Sequence, residues 1–197
     1  MNLPNKLTIF RIILVPIICL VWLFPYEQFN IYIGYINILN ISLSWINIIT
    51  LLLFIIASLT DFLDGSIARK KKLVTTFGKF ADPIADKLLV NMMLILLSYK
   101  HMIPVVPVVL MILRDIIVDG CRMLAAEKGI VVSAGILGKL KTVLQMVAIV
   151  FVLLNNLPFE LLQLPVCDIL IWFACFISVA GGYSYFMQVK NYIFESM

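Results

Sequence analysis

Six apolar runs divide this chain, near residues 7–24, 43–59, 80–97, 103–118, 136–154 and 164–186. A helix needs about 20 apolar residues to cross a hydrocarbon core of about 30 Å. In lipid every backbone polar group must be satisfied internally, which leaves helices or a closed barrel. Of the 197 residues 63% are hydrophobic and only 13% are charged, where a soluble domain carries about 25% charged residues. The expected fold is therefore all-α, a polytopic membrane protein with six transmembrane helices. Residues 1–197 are expected to form a single membrane domain, with no room for a separate soluble one. No cleavable signal peptide is expected, because Asn5, Lys6 and Arg11 lead straight into the first run with no small-residue cleavage site behind it.

The net charge is +4, but its placement says more than its sum. Lys6 and Arg11 stand at the N-terminus. Arg69, Lys70, Lys71, Lys72 and Lys79 join the second and third runs; Arg122, Lys128, Lys139 and Lys141 join the fourth and fifth; Lys190 follows the sixth. The 26–42 and 155–163 connections have no Lys or Arg, and 98–102 has only Lys100. Basic residues favour the cytoplasmic side, so both termini and the 61–86 stretch are expected there. Lys70–Lys72 read as topology determinants touching anionic lipid. The segment PNKLTIFR is mildly amphipathic and is expected to lie partly in the interface before the chain turns inward. Pro25, Asn155-Asn156 with Pro158, and Gly129 are the turn signals. Cys19, Cys121, Cys167 and Cys175 contain no C-x-x-C and read as small hydrophobes, and His101 as a loop residue.

Against this apolar background the stretch DFLDGSIARKKKLVTTFGKFADPIADK carries four aspartates. Asp61 and Asp64 are spaced i, i+3, and Asp82 and Asp86 i, i+4, so each pair shares one helix face. The connection between the two helices is short. They are expected to be antiparallel neighbours that bring both pairs to the same end. Four carboxylates so close need compensation, because like charges and burial both disfavour the ionised form. Hard oxygen donors suit Mg²⁺ or Mn²⁺ rather than Zn²⁺. Two such ions about 3.5–4 Å apart form a geometry used for phosphoryl chemistry. Gly65 and Ala68 leave room for a flat base or a diphosphate to approach, Arg69 offers a planar fork for phosphate, and Gly78 clears space one turn before Asp82.

Together these residues spell D-x-x-D-G-x-x-A-R-x8-G-x-x-x-D-x-x-x-D, with Asp61, Asp64, Gly65, Ala68, Arg69, Gly78, Asp82 and Asp86 at its eight fixed positions. The pattern resembles the signature of the CDP-alcohol phosphotransferase family of membrane enzymes. The resemblance implies a six-helix membrane bundle, often a homodimer, in which a CDP-linked alcohol donates its phosphoryl-bearing group to an acceptor hydroxyl and CMP leaves. It implies that Asp61, Asp64 and Asp82 ligate metal, and that Asp86 is the general base and a ligand to the second of two ions. Gly65, Ala68 and Arg69 would form part of the CDP site together with Asp61, and Thr75 would touch the nucleotide. PNKLTIFRIILVPI, LRDIIVDGCRMLAAEKGIVV and LGKLKTVLQMVAI extend the likeness to the bacterial branch of the family that joins CDP-diacylglycerol to glycerol 3-phosphate. That likeness adds Asn5 and Thr8 as contacts to the CDP-diacylglycerol nucleotide and places the chain in the bacterial cytoplasmic membrane.

The residues themselves agree with such an acceptor. Arg114 lies inside an apolar run, where a lone cation is costly. Arg122, Lys139 and Lys141 gather at the same end, and four cations suit an acceptor that brings its own phosphate. Asp115 and Asp119 offer Arg114 an alternative as plain ion-pair partners. An inositol-phosphate-using relative also needs the cations, and a cardiolipin synthase of the same family is a weaker rival. From another class, a cation transporter explains intramembrane carboxylates but not Gly65, Ala68 and Arg69 at fixed offsets. Substrates and bilayer are the expected partners, and nothing points to nucleic acid.

Overall fold

A computed structural model of the protein describes residues 2–38, 41–70, 75–127 and 135–194; side chains at 3–4, 61–70, 76, 79, 83 and 191–194 lie outside that description. Each apolar run falls on a helix: α1 (Leu3–Leu23), α2 (Trp45–Lys70), α3 (Thr76–Tyr99), α4 (Val105–Glu127), α5 (Ile136–Leu153) and α6 (Val166–Phe194). Among the described residues three of them contain stretches long and apolar enough to cross a membrane on their own account, Asn5–Leu23, Ile136–Leu153 and Val166–Lys190, and α2 adds a shorter apolar stretch, Trp45–Thr60. The chain is thus a membrane protein built of helices. The helices α2, α3 and α4 outrun their apolar stretches, because the same continuous helix carries the aspartates or the α4 cations. Gly129, Lys71, Lys72 and Lys128, used above as turn or topology signals, lie outside the described residues.

The PNKLTIFR segment forms the first turns of α1, continuous with the rest. Pro4 stands in the first turn, where a missing N–H costs nothing. The 26–42 connection, expected to be mere loop in an all-α protein, contains a 3₁₀ turn (Tyr26–Phe29) and a hairpin of β1 (Tyr35–Ile38) and β2 (Ile41–Ser44). The strands are antiparallel, with Tyr35 opposite Ser44 and Ile38 opposite Ile41. Alternating, isoleucine-rich sequence favours a strand over a helix once the run is too short to span.

The chain forms two compact units, Met1–Leu97 with Val150–Leu164, and Ser98–Ile149 with Pro165–Met197. In the first, α1 packs along α2, and β2 packs against α2. Thr8, Arg11, Leu14, Val15, Ile18 and Trp22 are buried at three- and four-residue spacing, so one face of α1 turns inward along its length. Leu43 of β2 is buried as well. Asn155 and Asn156 turn the chain with left-handed backbone, as their pairing with Pro158 suggested. The Asn155 amide donates to the Ser42 carbonyl at 2.8 Å and its oxygen accepts from Asn47, tying the hairpin to the return segment.

In the second unit α4 and α6 pack side by side, and Val118, Cys121 and Ala125 meet Tyr185 and Val189. Arg114 lies against Gly182 and Arg122 over Tyr185, so residue numbers rise together and α4 and α6 run parallel. Between α4 and α5 they run oppositely, Lys141 against Asp115 and Gln145 against Met111, so these helices are antiparallel.

Removing Leu43, 1% exposed, leaves a cavity under the hairpin. Leu43→Ala is expected to lower stability by about 2–4 kcal/mol. Ile38→Ala, in the same hairpin but exposed, should stay within about 0.5 kcal/mol. Thermal unfolding in detergent micelles compares the two, and equal losses would contradict this packing.

Candidate active site

The N-terminal turns of α1 and α3 meet through polar side chains. Thr75 opens α3: its hydroxyl accepts from the Gly78 N–H at 3.0 Å, the geometry of a helix N-cap. The same hydroxyl donates to Asn5 Oδ1 at 2.9 Å. One turn further along, Thr8 Oγ1 donates to Asp82 Oδ1 at 2.6 Å. A turn beyond that, Arg11 Nη1 donates to Asp86 Oδ1, also at 2.6 Å. The partners ascend together on both helices, so α1 and α3 run parallel, in the order expected of first and third crossings. Asn5, Thr8 and Arg11 lie three apart on one face of α1, and Asp82 and Asp86 lie four apart on one face of α3.

Gly78 is buried within this contact. A Cβ there would stand 3.3 Å from Asn5 Oδ1, 3.3 Å from Thr75 Oγ1 and 3.6 Å from Asp82 Oδ2. The glycine therefore lets three oxygen donors crowd the start of α3. The space predicted for a ligand at this position is, at the glycine itself, filled by Asn5 and Thr75. Asn5 and Thr8, expected to touch a nucleotide, bond here to Thr75 and Asp82 and so brace α3.

Arg11 is the residue that sequence reasoning misplaced. It counted as a topology determinant, yet it is fully buried and paired with Asp86. The available signal was the arginine's position inside a spanning run, three residues beyond Thr8 and six beyond Asn5. A buried charge in that setting implies a partner.

Asp61, Asp64, Gly65, Ala68 and Arg69 fall on α2, with side chains outside the described residues. The spacing of the two aspartates on one helical face holds, since α2 runs without a break to Lys70. Among the described residues no three metal-ligating groups converge; Asp61 and Asp64 are not among those side chains. The described half of the site fits a hard divalent ion. Its donors are carboxylate, amide and hydroxyl oxygens, and Asp86 is 40% exposed despite its buried partner.

The second unit assembles the α4 and α5 cations. Lys141 Nζ, nearly buried, donates to both carboxylate oxygens of Asp115 at 2.5 Å. Arg114 Nη1 reaches the same carboxylate at 3.1 Å. Two cations thus converge on one carboxylate. The plain pairing of Arg114 with Asp115 is thus present, and Lys141 joins it. Arg122 is exposed, with its guanidinium 5.8 Å from the centre of the Tyr185 ring. Lys139 is exposed at the start of α5.

Comparison with known proteins gives one consistent answer. A family model described as CDP-alcohol phosphatidyltransferase matches residues 1–180. A protein of Bacillus subtilis named CDP-diacylglycerol--glycerol-3-phosphate 3-phosphatidyltransferase is 44% identical over 187 residues, covering 95% of this chain and 94% of its own length. A Rickettsia typhi protein of the same name is 41% identical over 192 residues, covering 97% of this chain and 98% of its own. A Mycoplasma genitalium protein of that name is 40% identical over 152 residues, 76% of this chain and 64% of its own length.

Deleting the Asp115 carboxylate would remove the anion that Lys141 and Arg114 share in a buried setting. Asp115→Ala is expected to destabilise by about 3–5 kcal/mol, read as loss of thermal stability in micelles. A loss no larger than that of an exposed α4 substitution such as Met123→Ala would contradict the described cluster.

Proposed function

The chain belongs to the CDP-alcohol phosphatidyltransferase family, and on that premise we propose that it transfers the phosphatidyl group of CDP-diacylglycerol to the 1-hydroxyl of sn-glycerol 3-phosphate. The products are phosphatidylglycerol phosphate and CMP. The observation that carries this reading is the likeness of nearly the whole chain, at 44% identity, to an enzyme named for that donor and that acceptor. Placement of Asp82 and Asp86 one turn apart on α3, braced by α1, supports it from the side of the chemistry.

Asp61, Asp64, Asp82 and Asp86 are assigned to a two-ion Mg²⁺ or Mn²⁺ site. When bound, such ions offset charge on the diphosphate and on departing CMP. Gly65, Ala68 and Arg69, with Asn5, Thr8 and Thr75 near the start of the two helices, are assigned to the nucleotide. Arg114, Arg122, Lys139 and Lys141 are assigned to the phosphate of the acceptor. Asp86 is the general base. It takes the proton of the 1-hydroxyl as that oxygen bonds to the phosphatidyl phosphorus and the bond from phosphorus to the CMP oxygen breaks. Arg11 fixes one oxygen of Asp86 and so aims the carboxylate.

All six helices cross the membrane in this reading, as a single domain spanning residues 1–197 and working as a homodimer. Both termini and the start of α3 face the cytoplasm, the side that supplies a water-soluble phosphorylated acceptor. The acyl chains of CDP-diacylglycerol remain in the bilayer.

General-base catalysis contributes about 10²–10⁴-fold. Asp86→Asn is therefore expected to lower kcat by at least about a hundredfold in protein that still purifies folded, at some cost in thermal stability because buried Arg11 loses a charged partner. Release of CMP in micelles containing CDP-diacylglycerol and glycerol 3-phosphate measures this. Chelation with EDTA should stop release and Mg²⁺ should restore it. Undiminished turnover by Asp86→Asn would remove the base assignment, turnover in EDTA would remove the metal, and faster release with inositol phosphate would change the acceptor.

A further inference from the structure

Two adjacent glycines of α6, Gly181 and Gly182, lie against Arg114 of α4. A Cβ on Gly182 would come 2.8 Å from Arg114 Cγ, 3.0 Å from Nε and 3.4 Å from Cδ. A Cβ on Gly181 would come 3.3 Å from Arg114 Nη2 and 3.1 Å from Leu137 Cβ. Carbon atoms do not approach to 2.8 Å, so alanine at 182 would displace the arginine. The atom struck first is Cγ, at the root of the side chain. Swinging the far end would not relieve that contact; the χ1 or χ2 rotamer would have to change.

Neither glycine is required by the backbone. Both lie within the α-helix and neither has positive φ. Glycine inside a helix is destabilising relative to alanine, and here two stand in succession where the vacated volume is occupied by Arg114. The arginine side chain is only 16% exposed, and its Nη1 bonds Asp115. Its Nε is buried with no hydrogen-bond partner among the described residues. The guanidinium is thus confined by the walls of a slot on one side and by a single carboxylate on the other, with a donor left over. A buried donor without an acceptor is costly, so the place of this arginine is set by the slot and the Asp115 carboxylate and not by a hydrogen bond from Nε.

We infer that the Gly181–Gly182 pair is a positioning element that sets the rotamer of Arg114 and, through it, the affinity of the enzyme for the phosphomonoester of its acceptor. The inference rests on the assignment of Arg114 to that phosphate. The glycines touch no substrate; they act by leaving space. The last helix thereby enters acceptor recognition, although by composition it is the least informative of the six.

The test is a double-mutant cycle on the purified full-length enzyme, with KM for glycerol 3-phosphate, KM for CDP-diacylglycerol and kcat read separately. Hydrogen bonds to charged groups are worth enough that Gly182→Ala should raise KM for glycerol 3-phosphate roughly tenfold. KM for CDP-diacylglycerol should stay within about twofold, since uniform loss of acceptor binding leaves the donor untouched. Arg114→Ala should raise the same acceptor KM, and adding Gly182→Ala to it should have no further effect, because the side chain that the methyl displaces is gone. Gly120→Ala on α4, where a Cβ meets nothing within 4 Å, should change none of the three constants. If Gly182→Ala does not fold, Gly181→Ala, whose methyl meets Leu137 Cβ as well as the guanidinium end, takes its place in the cycle, and the part of its effect on acceptor KM that Arg114→Ala abolishes is the part attributed to the arginine.

An acceptor KM raised equally in the presence and absence of Arg114 would overturn the inference, since the glycines would then act independently of it. So would an unchanged acceptor KM in Gly182→Ala beside a raised one in Arg114→Ala; that pair of results would leave the phosphate assignment standing. An unchanged acceptor KM in Arg114→Ala would instead overturn the assignment on which the inference rests.

Discussion

An arginine with no exposed surface is tolerable only opposite an anion, and Arg11 meets Asp86 at 2.6 Å. That pair, with Thr8 on Asp82 one turn earlier, sets the register of α1 against α3. Register in turn decides which oxygens gather at the start of α3. Slide α1 by one residue and the two carboxylates lose their partners together. The apolar continuation of the same face, through Leu14, Ile18 and Trp22, packs in any lipid-embedded helix pair. The polar end alone discriminates between registers, because only there is mispairing costly.

The second unit applies the same rule with the signs arranged differently. Here a buried carboxylate, Asp115, gathers two cations. Lys141 comes from an antiparallel neighbour, so the ion pair fixes the register of α4 against α5 as Arg11 fixes that of α1 against α3. Each unit therefore uses charge in a low-dielectric setting to specify packing. In the first unit the gathered groups include acidic oxygens on α3; in the second, two cations share the Asp115 carboxylate.

Much of this was legible from the residues. Six apolar runs fall on six helices among the described residues, three of which hold stretches long and apolar enough to cross a membrane. The i, i+4 spacing of Asp82 and Asp86 put them on one face of α3, as helical geometry requires. Asn155-Asn156 turned the chain, since both tolerate left-handed backbone. What escaped had a common cause: the meaning of each residue lay in its neighbour across a helix contact. Arg11 reads as a flanking charge until Asp86 is placed beside it. Gly181 and Gly182 read as filler in a uniformly apolar helix until Arg114 occupies their space. The hairpin was missed for a different reason. Its isoleucine-rich strands, four residues each, are too short for periodicity to separate from loop, and a fold read as all-α leaves no place for them.

The identity of the lipid product tests the central claim most directly. Purified enzyme supplied with Mg²⁺, CDP-diacylglycerol and isotopically labelled glycerol 3-phosphate, followed by mass spectrometry of the extracted lipid, reads which bond was made. The account predicts phosphatidylglycerol phosphate carrying the label, formed mole for mole with CMP. Release of CMP without label entering lipid, or a labelled lipid lacking the second phosphate, would contradict it.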